Sequence, residues 1–194
     1  MKRSSGTSRR WRAALALALA GALGAEARVL LTVSEALGLA FPGAEIERRT
    51  IFLTDAEAAR VAEVAGSPLG SAIAHPYVAR RDGALVGTAY FDTHVVRTLP
   101  ETVMVVVDPA GAVARVEVLS FDEPPDYLPR EAWYRQFEGR ALDAELELRR
   151  AIRPVTGATL TARATTDAAR RALALHAVLA ERTAATAGAP ERSE

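Results

Sequence analysis

Residues 102–121 read TVMVVV, DPAG, AVARVEVLSF, and this stretch decides the fold. The run 102–107 is apolar without alternation, so it predicts a strand with no solvated face. Asp108-Pro109-Ala110-Gly111 is a turn: Pro presets φ at its second position and Gly closes it. Residues 112–121 then alternate with period two. Val113, Arg115, Glu117 and Leu119 share one face, and Ala114, Val116, Val118 and Ser120 share the other. Val116 and Val118 are the expected buried residues. A turn this short joins antiparallel strands, because a parallel pair needs a long crossover.

A second hairpin precedes this one. Residues 74–80 lead into Asp82-Gly83, and 84–91 (ALVGTAYF) return as the next strand. Upstream, 33–40 (VSEALGLA) predicts a short helix stopped by Phe41-Pro42-Gly43. Thr54-Asp55-Ala56-Glu57 matches a capping box, and its helix should run to about Ala65 before Gly66. Downstream, 122–129 (DEPPDYLP) is a Pro-rich loop, and 130–137 (REAWYRQF) predicts a short aromatic helix ending at Gly139. The last helix should start near Leu160 and end near Arg182, with Leu160, Ala164, Ala168, Ala172, Leu175 and Leu179 along its buried face. These elements give an α+β fold: an antiparallel sheet of hairpins packed against a long C-terminal helix and shorter helices.

The beginning of the chain reads differently. Lys2, Arg3, Arg9, Arg10 and Arg12 form a basic region, 13–24 (AALALALAGALG) a short apolar core, and Ala25-Glu26-Ala27 a cleavage signal. That order predicts a secretory signal peptide over 1–27 and a periplasmic or otherwise exported protein, soluble or peripheral after cleavage. An uncleaved anchor is the alternative. Residues 28–194 then carry 19 Arg against 23 acids, a net charge of −4. A mildly acidic domain argues against a nucleic-acid partner. The chain has no Cys, which excludes disulfides, thiolate metal sites and iron–sulfur clusters. His75, His94 and His176 lie on separate segments without metal-ligand spacing. No GxGxxG and no P-loop occurs, and no Ser-His-Asp order supports a hydrolase.

The chemistry concentrates at Thr156-Gly157-Ala158-Thr159, just ahead of the last helix. Helix starts carry unpaired N–H groups and partial positive charge, so this one suits a phosphate. Gly157 and Ala158 leave the approach to the Thr159 hydroxyl clear, and Thr156 or Thr161 can add hydrogen bonds. A plain turn with a capping Thr is the competing reading. Tyr127, Trp133 and Tyr134 offer rings to a planar ligand, or form a small core beneath the Pro-rich loop. Asp92, Thr93, His94 and Arg97 form a polar group after an apolar strand; a satisfied or surface role is expected for His94.

Val155-Thr156-Gly157-Ala158-Thr159-Leu160-Thr161 resembles the flavinylation motif of the FMN-binding domain family, which includes exported flavin subunits of the Rnf and sodium-translocating NADH:quinone oxidoreductase complexes. The hairpin through Asp108–Gly111 and the loop at Glu123-Pro124 follow the order of the same family, and the resemblance covers about 87–179. It implies FMN as the cofactor, attached by a phosphoester to Thr159, with Thr156, Gly157, Ala158, Leu160 and Thr161 around the phosphate and Glu123 near the flavin. It also implies a flavin transferase that moves FMN from FAD onto the Thr with a metal ion, and redox partner proteins or a membrane electron-transfer complex. The family motif has an acid three positions before the first Thr; Arg153 stands there, where it offers a cation to the phosphate. The phosphate is then bonded to Thr159 or only held beside it.

The resulting division is a signal peptide (1–27), an N-terminal helical and strand part (28–86), an FMN-binding core (87–182) and a disordered tail (183–194). The functional expectation is an exported electron-transfer flavoprotein. A flavin-free or non-covalently flavin-binding interaction module of the same fold is the alternative, and a flavin reductase with a small substrate is a third.

Overall fold

The protein is described by a computed structural model over residues 28–187. The signal-peptide reading of 1–27 and the last part of the tail, 188–194, lie outside the described residues. In chain order the elements are α1 (Val33–Ala40), β1 (Glu45–Arg48), β2 (Ile51–Phe52), α2 (Asp55–Ala65), β3 (Ile73–Ala74), β4 (Tyr77–Arg81), β5 (Ala84–Val95), β6 (Pro100–Val107), β7 (Val113–Phe121), α3 (Glu131–Tyr134) and α4 (Thr159–Ala187). Five strands form one sheet in the order β1-β4-β5-β6-β7, every pair antiparallel. β2 and β3 make a separate two-stranded ribbon. The architecture is α+β.

Local chemistry sets these elements. Asp82 (φ 51°) and Gly83 (φ 79°) both adopt positive φ, the type I′ geometry whose twist matches a tight hairpin. In the next turn the Asp108 carboxylate accepts from the N–H groups of Ala110 and Ala112, both at 2.9 Å. Thr54 and Glu57 form the expected capping box of α2, and Gly66 ends that helix at φ 77°. α1 carries a second box, Thr32 with Glu35, which the sequence reading passed over.

Both faces of the sheet are covered, which explains the unbroken apolar run of β6. Val103, Val105 and Val107 point to one face, in a core with α2, α3 and α4. Met104 and Val106 point to the other, against Ala36, Leu37 and Phe41. The second face closes tightly over Gly87. A Cβ there would lie 2.9 Å from Phe41 Cε1 and 3.0 Å from the Val107 carbonyl oxygen. Gly87→Ala should therefore destabilise the fold by about 1–3 kcal/mol, read as a lower denaturant midpoint.

Three details differ from expectation. First, register shifts in β7 at both ends of its pairing with β6 break the simple alternation. Val113 consequently joins Val116 and Val118 in the α4-side core, while Leu119 faces α1. Second, α4 starts at Thr159 and continues to Ala187, so residues 183–187 are helical rather than part of a disordered tail. Arg182 anchors this end by pairing with Glu57 and donating to the Phe52 carbonyl at 3.0 Å. Third, the buried face of α4 keeps Ala168, Ala172 and Leu175 of the expected one but is rotated in part away from Leu160. Ala162, Thr165, Ala168, Ala169, Ala172, Leu173 and Leu175 are buried, whereas Leu160 is 49% exposed. The small side chains let α4 lie close on the sheet.

Candidate functional site

The start of α4 is built by a tight turn. Ala158 N–H donates to the Val155 carbonyl at 3.1 Å, across Thr156 and Gly157. Gly157 has φ 84°, a conformation that L side chains rarely adopt, so its identity is set by the turn. Ala158, buried at 3% exposure, stands at the capping position, and it has no side-chain oxygen to offer. Thr156 is exposed and its hydroxyl caps nothing among the described residues. The simple capping reading of the tetrad therefore fails. The N–H groups of Thr159, Leu160 and Thr161 have no acceptor among the described residues, at the positive end of a 29-residue helix.

The hydroxyls on this turn do different work. Thr159 is half-buried, and its Oγ1 donates to the Val155 carbonyl at 3.2 Å. Thr161 is buried, and its Oγ1 donates to the Tyr127 carbonyl at 2.6 Å, which ties the Pro-rich loop to α4. Between loop and helix lies a pocket of about 140 Å³, lined by Arg97, Tyr127 and Gly157–Thr161. Arg97 holds its guanidinium 4.5 Å from the centre of the Tyr127 ring, a cation–π contact.

Glu123 sets the loop that carries Arg97. Its Oε1 accepts from the N–H groups of Thr98 (2.7 Å), Leu99 (2.9 Å) and Arg97 (3.2 Å), and from the Thr98 hydroxyl (3.3 Å). The Thr98 amide, then that of Leu99, lowers its pKa below the usual carboxylate value. Glu123→Ala should free these amides, so hydrogen exchange at Thr98 and Leu99 should quicken while exchange in α4 stays slow. The path into the turn is held separately. Trp133 Nε1 donates to the Arg153 carbonyl at 2.7 Å, and Arg153 N–H donates to Gln136 Oε1 at 3.0 Å. Arg153 itself is exposed and does not line the pocket. A cation and three amides without acceptors among the described residues make a place for a compact anion such as a phosphate.

Residues 99–174 match the profile of the FMN-binding domain family. This stretch is an FMN-binding domain. Its cofactor is FMN. No curated protein and no solved structure matches the chain. The matched stretch holds β6, β7, α3, the tetrad and the first half of α4, with Arg97 just ahead of it. The residues fit the phosphate end of FMN: the pocket is smaller than the roughly 300–1,000 Å³ of whole-ligand sites, so it takes that end and leaves the ring outside.

The FMN-binding domain thus gathers Thr156, Gly157, Ala158, Thr159, Leu160 and Thr161 in one turn. Glu123 acts through the backbone of the Arg97 loop. In the sequence Arg97 stands in the polar group of Asp92, Thr93 and His94, with no mark of a role at the phosphate. The one available signal was its place between the end of a strand and Pro100. Among the described residues no cluster of metal-ligating side chains occurs, and no helix is long and apolar enough to cross a membrane.

Behind the Arg97 loop the domain carries a buried polar chain. Arg171 forks onto Asp92 at 2.7 and 2.8 Å. His94 bridges Asp92 (Nδ1, 2.9 Å) and Glu101 (Nε2, 2.9 Å), and Thr165 donates to Glu101 at 3.3 Å. Burial disfavours charge on both Asp92 and His94, but the partners outweigh it. Asp92 is lowered to about 2 by Arg171 and His94, and His94 is raised to about 9 by Asp92 and Glu101. Stability from His94 is therefore complete below about pH 6.5 and lost as pH rises through about 9. Stability from Asp92 is complete above about pH 4 and lost as pH falls toward 2. The urea midpoint should fall between about pH 7 and 9, and His94→Gln should flatten that limb. At the far side of the core the Tyr90 hydroxyl and His176 Nδ1 are hydrogen-bonded at 3.0 Å, and burial lowers the pKa of His176.

Proposed function

We propose that the protein is an exported electron carrier whose FMN is joined through its phosphate to Thr159 Oγ1. The observation that carries this reading is the place of Thr159: first residue of α4, in a pocket with Arg97 and three amides that have no acceptor among the described residues. In the step itself, Thr159 Oγ1 attacks the FMN-side phosphorus of FAD. A new P–O bond forms, the pyrophosphate P–O bond breaks, AMP leaves with the bonding electrons, and the hydroxyl proton is released. A flavin transferase supplies FAD and the metal ion. The turn presents the hydroxyl, while the amides and Arg97 stabilise the resulting phosphodiester. The bound flavin supplies one- or two-electron chemistry, and redox proteins or a membrane electron-transfer complex are its partners. The basic, apolar and small-residue order of 1–27 supports export, and covalent attachment would prevent loss of the flavin there by diffusion.

Intact mass of the exported protein from its native host tests this. The expected value is the polypeptide from about Arg28 plus FMN less one water. Arg153, in place of the family's acid, favours a second reading in which FMN is held without a bond. Colour that leaves the protein on denaturation supports that reading; colour that stays supports the phosphoester. A colourless protein, exported in the presence of a flavin transferase, would sink the electron-carrier reading.

A further inference from the structure

β7 is an edge strand whose outer side is covered only at its ends. At one end Leu30 and Leu31 N–H donate to the Leu119 carbonyl at 2.7 and 3.1 Å, and Phe121 N–H donates to the Arg28 carbonyl at 3.2 Å. At the other, Val113 N–H donates to the Arg140 carbonyl and Gly139 N–H to the Val113 carbonyl, both at 2.8 Å. In between, the outward backbone N–H and carbonyl of Val116 have no partner among the described residues. A cavity of about 530 Å³ opens over this gap, lined among others by Leu31, Val116, Leu128, Pro129 and Tyr134. The Tyr134 hydroxyl is buried without a hydrogen-bond partner among the described residues, and Tyr134 as a whole is 6% exposed. Burial first, then the charges of Glu101 and Glu117, raise its pKa, so it stays a neutral donor.

The shape of the gap selects its occupant. A peptide strand would run into Leu30 at one end and Gly139 at the other. A compact, flat ligand with donors and acceptors along one edge fits. We propose that the isoalloxazine ring of FMN lies in this cavity, its pyrimidine edge on the backbone N–H and carbonyl of Val116 and the Tyr134 hydroxyl as a further donor. The inference rests on the reading that the FMN phosphate sits at the start of α4. Tyr127 lines the phosphate pocket and the next two residues, Leu128 and Pro129, line this cavity, so the two spaces flank one short segment. Of two other cavities of similar size, one of about 670 Å³ meets α4 only from Val178 onward and one of about 510 Å³ only at Arg171, Ala172 and Leu175. Those residues begin about 18 Å along the helix from Thr159, beyond the ribityl arm.

Lumiflavin, the ring without its arm, is the probe. It should bind Thr159→Ala protein saturably, with its fluorescence quenched, and should not bind flavinylated protein, whose own ring fills the cavity. Tyr134→Phe should weaken binding about tenfold. Leu30→Trp, at a rim position that is 39% exposed and so tolerant of change, should block it. Absent saturation, equal binding to flavinylated and unflavinylated protein, or binding indifferent to both variants would overturn the inference. The two readings fail separately. A wild-type mass without FMN sinks attachment at Thr159, and lumiflavin titration of that same protein still decides where the ring lies.

Discussion

Thr159→Ala protein should fold, reach the same compartment and carry no covalent flavin. Its intact mass should drop by FMN less one water, beyond the small change from Thr to Ala, and the denatured protein should show no yellow band. The size of the effect follows from the proposed phosphoester: no other atom can replace the oxygen that would bond phosphorus. Thr156 is exposed but precedes Gly157 and does not line the pocket, and the Thr161 hydroxyl is buried and committed to the Tyr127 carbonyl. The fold should lose little. Thr159 Oγ1 makes one hydrogen bond, to the Val155 carbonyl, and such a bond contributes about 1 kcal/mol. Retention of the full FMN mass by the Ala variant would show the site assignment to be wrong. Loss of the mass together with loss of native circular dichroism would point to misfolding, and Thr159→Val, which keeps the side-chain shape, separates the two.

The second large effect is expected at His94. Its ring is 11% exposed and joins Asp92 to Glu101, whose side chain is fully buried. His94→Ala removes the cation from between two carboxylates. Asp92 retains the Arg171 fork, but Glu101 keeps only the Thr165 hydroxyl. Leaving one member of a buried pair uncompensated costs about 3–5 kcal/mol, against total stabilities of about 5–15 kcal/mol for ordinary domains. The variant should unfold at much lower urea, and Glu101→Gln in the same background should restore part of the loss by removing the stranded charge. A loss below about 1 kcal/mol would mean that the chain of polar groups contributes little to the fold.

Much of this arrangement was legible in the chain. Asp82-Gly83 and Asp108–Gly111 carry their geometry in their residue types, so both hairpins and the antiparallel sheet could be read locally. The capping box at Thr54–Glu57 and Gly66 likewise bound α2. The tetrad was legible for a similar reason: only a turn at Gly157 explains a Gly between two Thr ahead of an Ala-rich helix. What escaped depends on partners distant in sequence. Glu123 fixes the loop of Arg97 from 26 residues away, and nothing near either residue announces it. β1, β2 and β3 are only four, two and two residues long, so their periodicity is too brief to register. The register shifts in β7 and the rotated face of α4 are set by how the two elements meet, which spacing alone does not encode.

The covered ends of β7 have a consequence for the behaviour of many copies together. A sheet grows between molecules when an edge offers a long run of free amides. Here the run on one side is interrupted to the short span around Val116, and the opposite edge, β1, is four residues long with Glu45, Glu47 and Arg48 on it. Neither border offers a neighbouring copy enough register to add a strand. The fold should therefore resist fibrillar self-association even at concentrations where its apolar β6 sequence, unfolded, would aggregate.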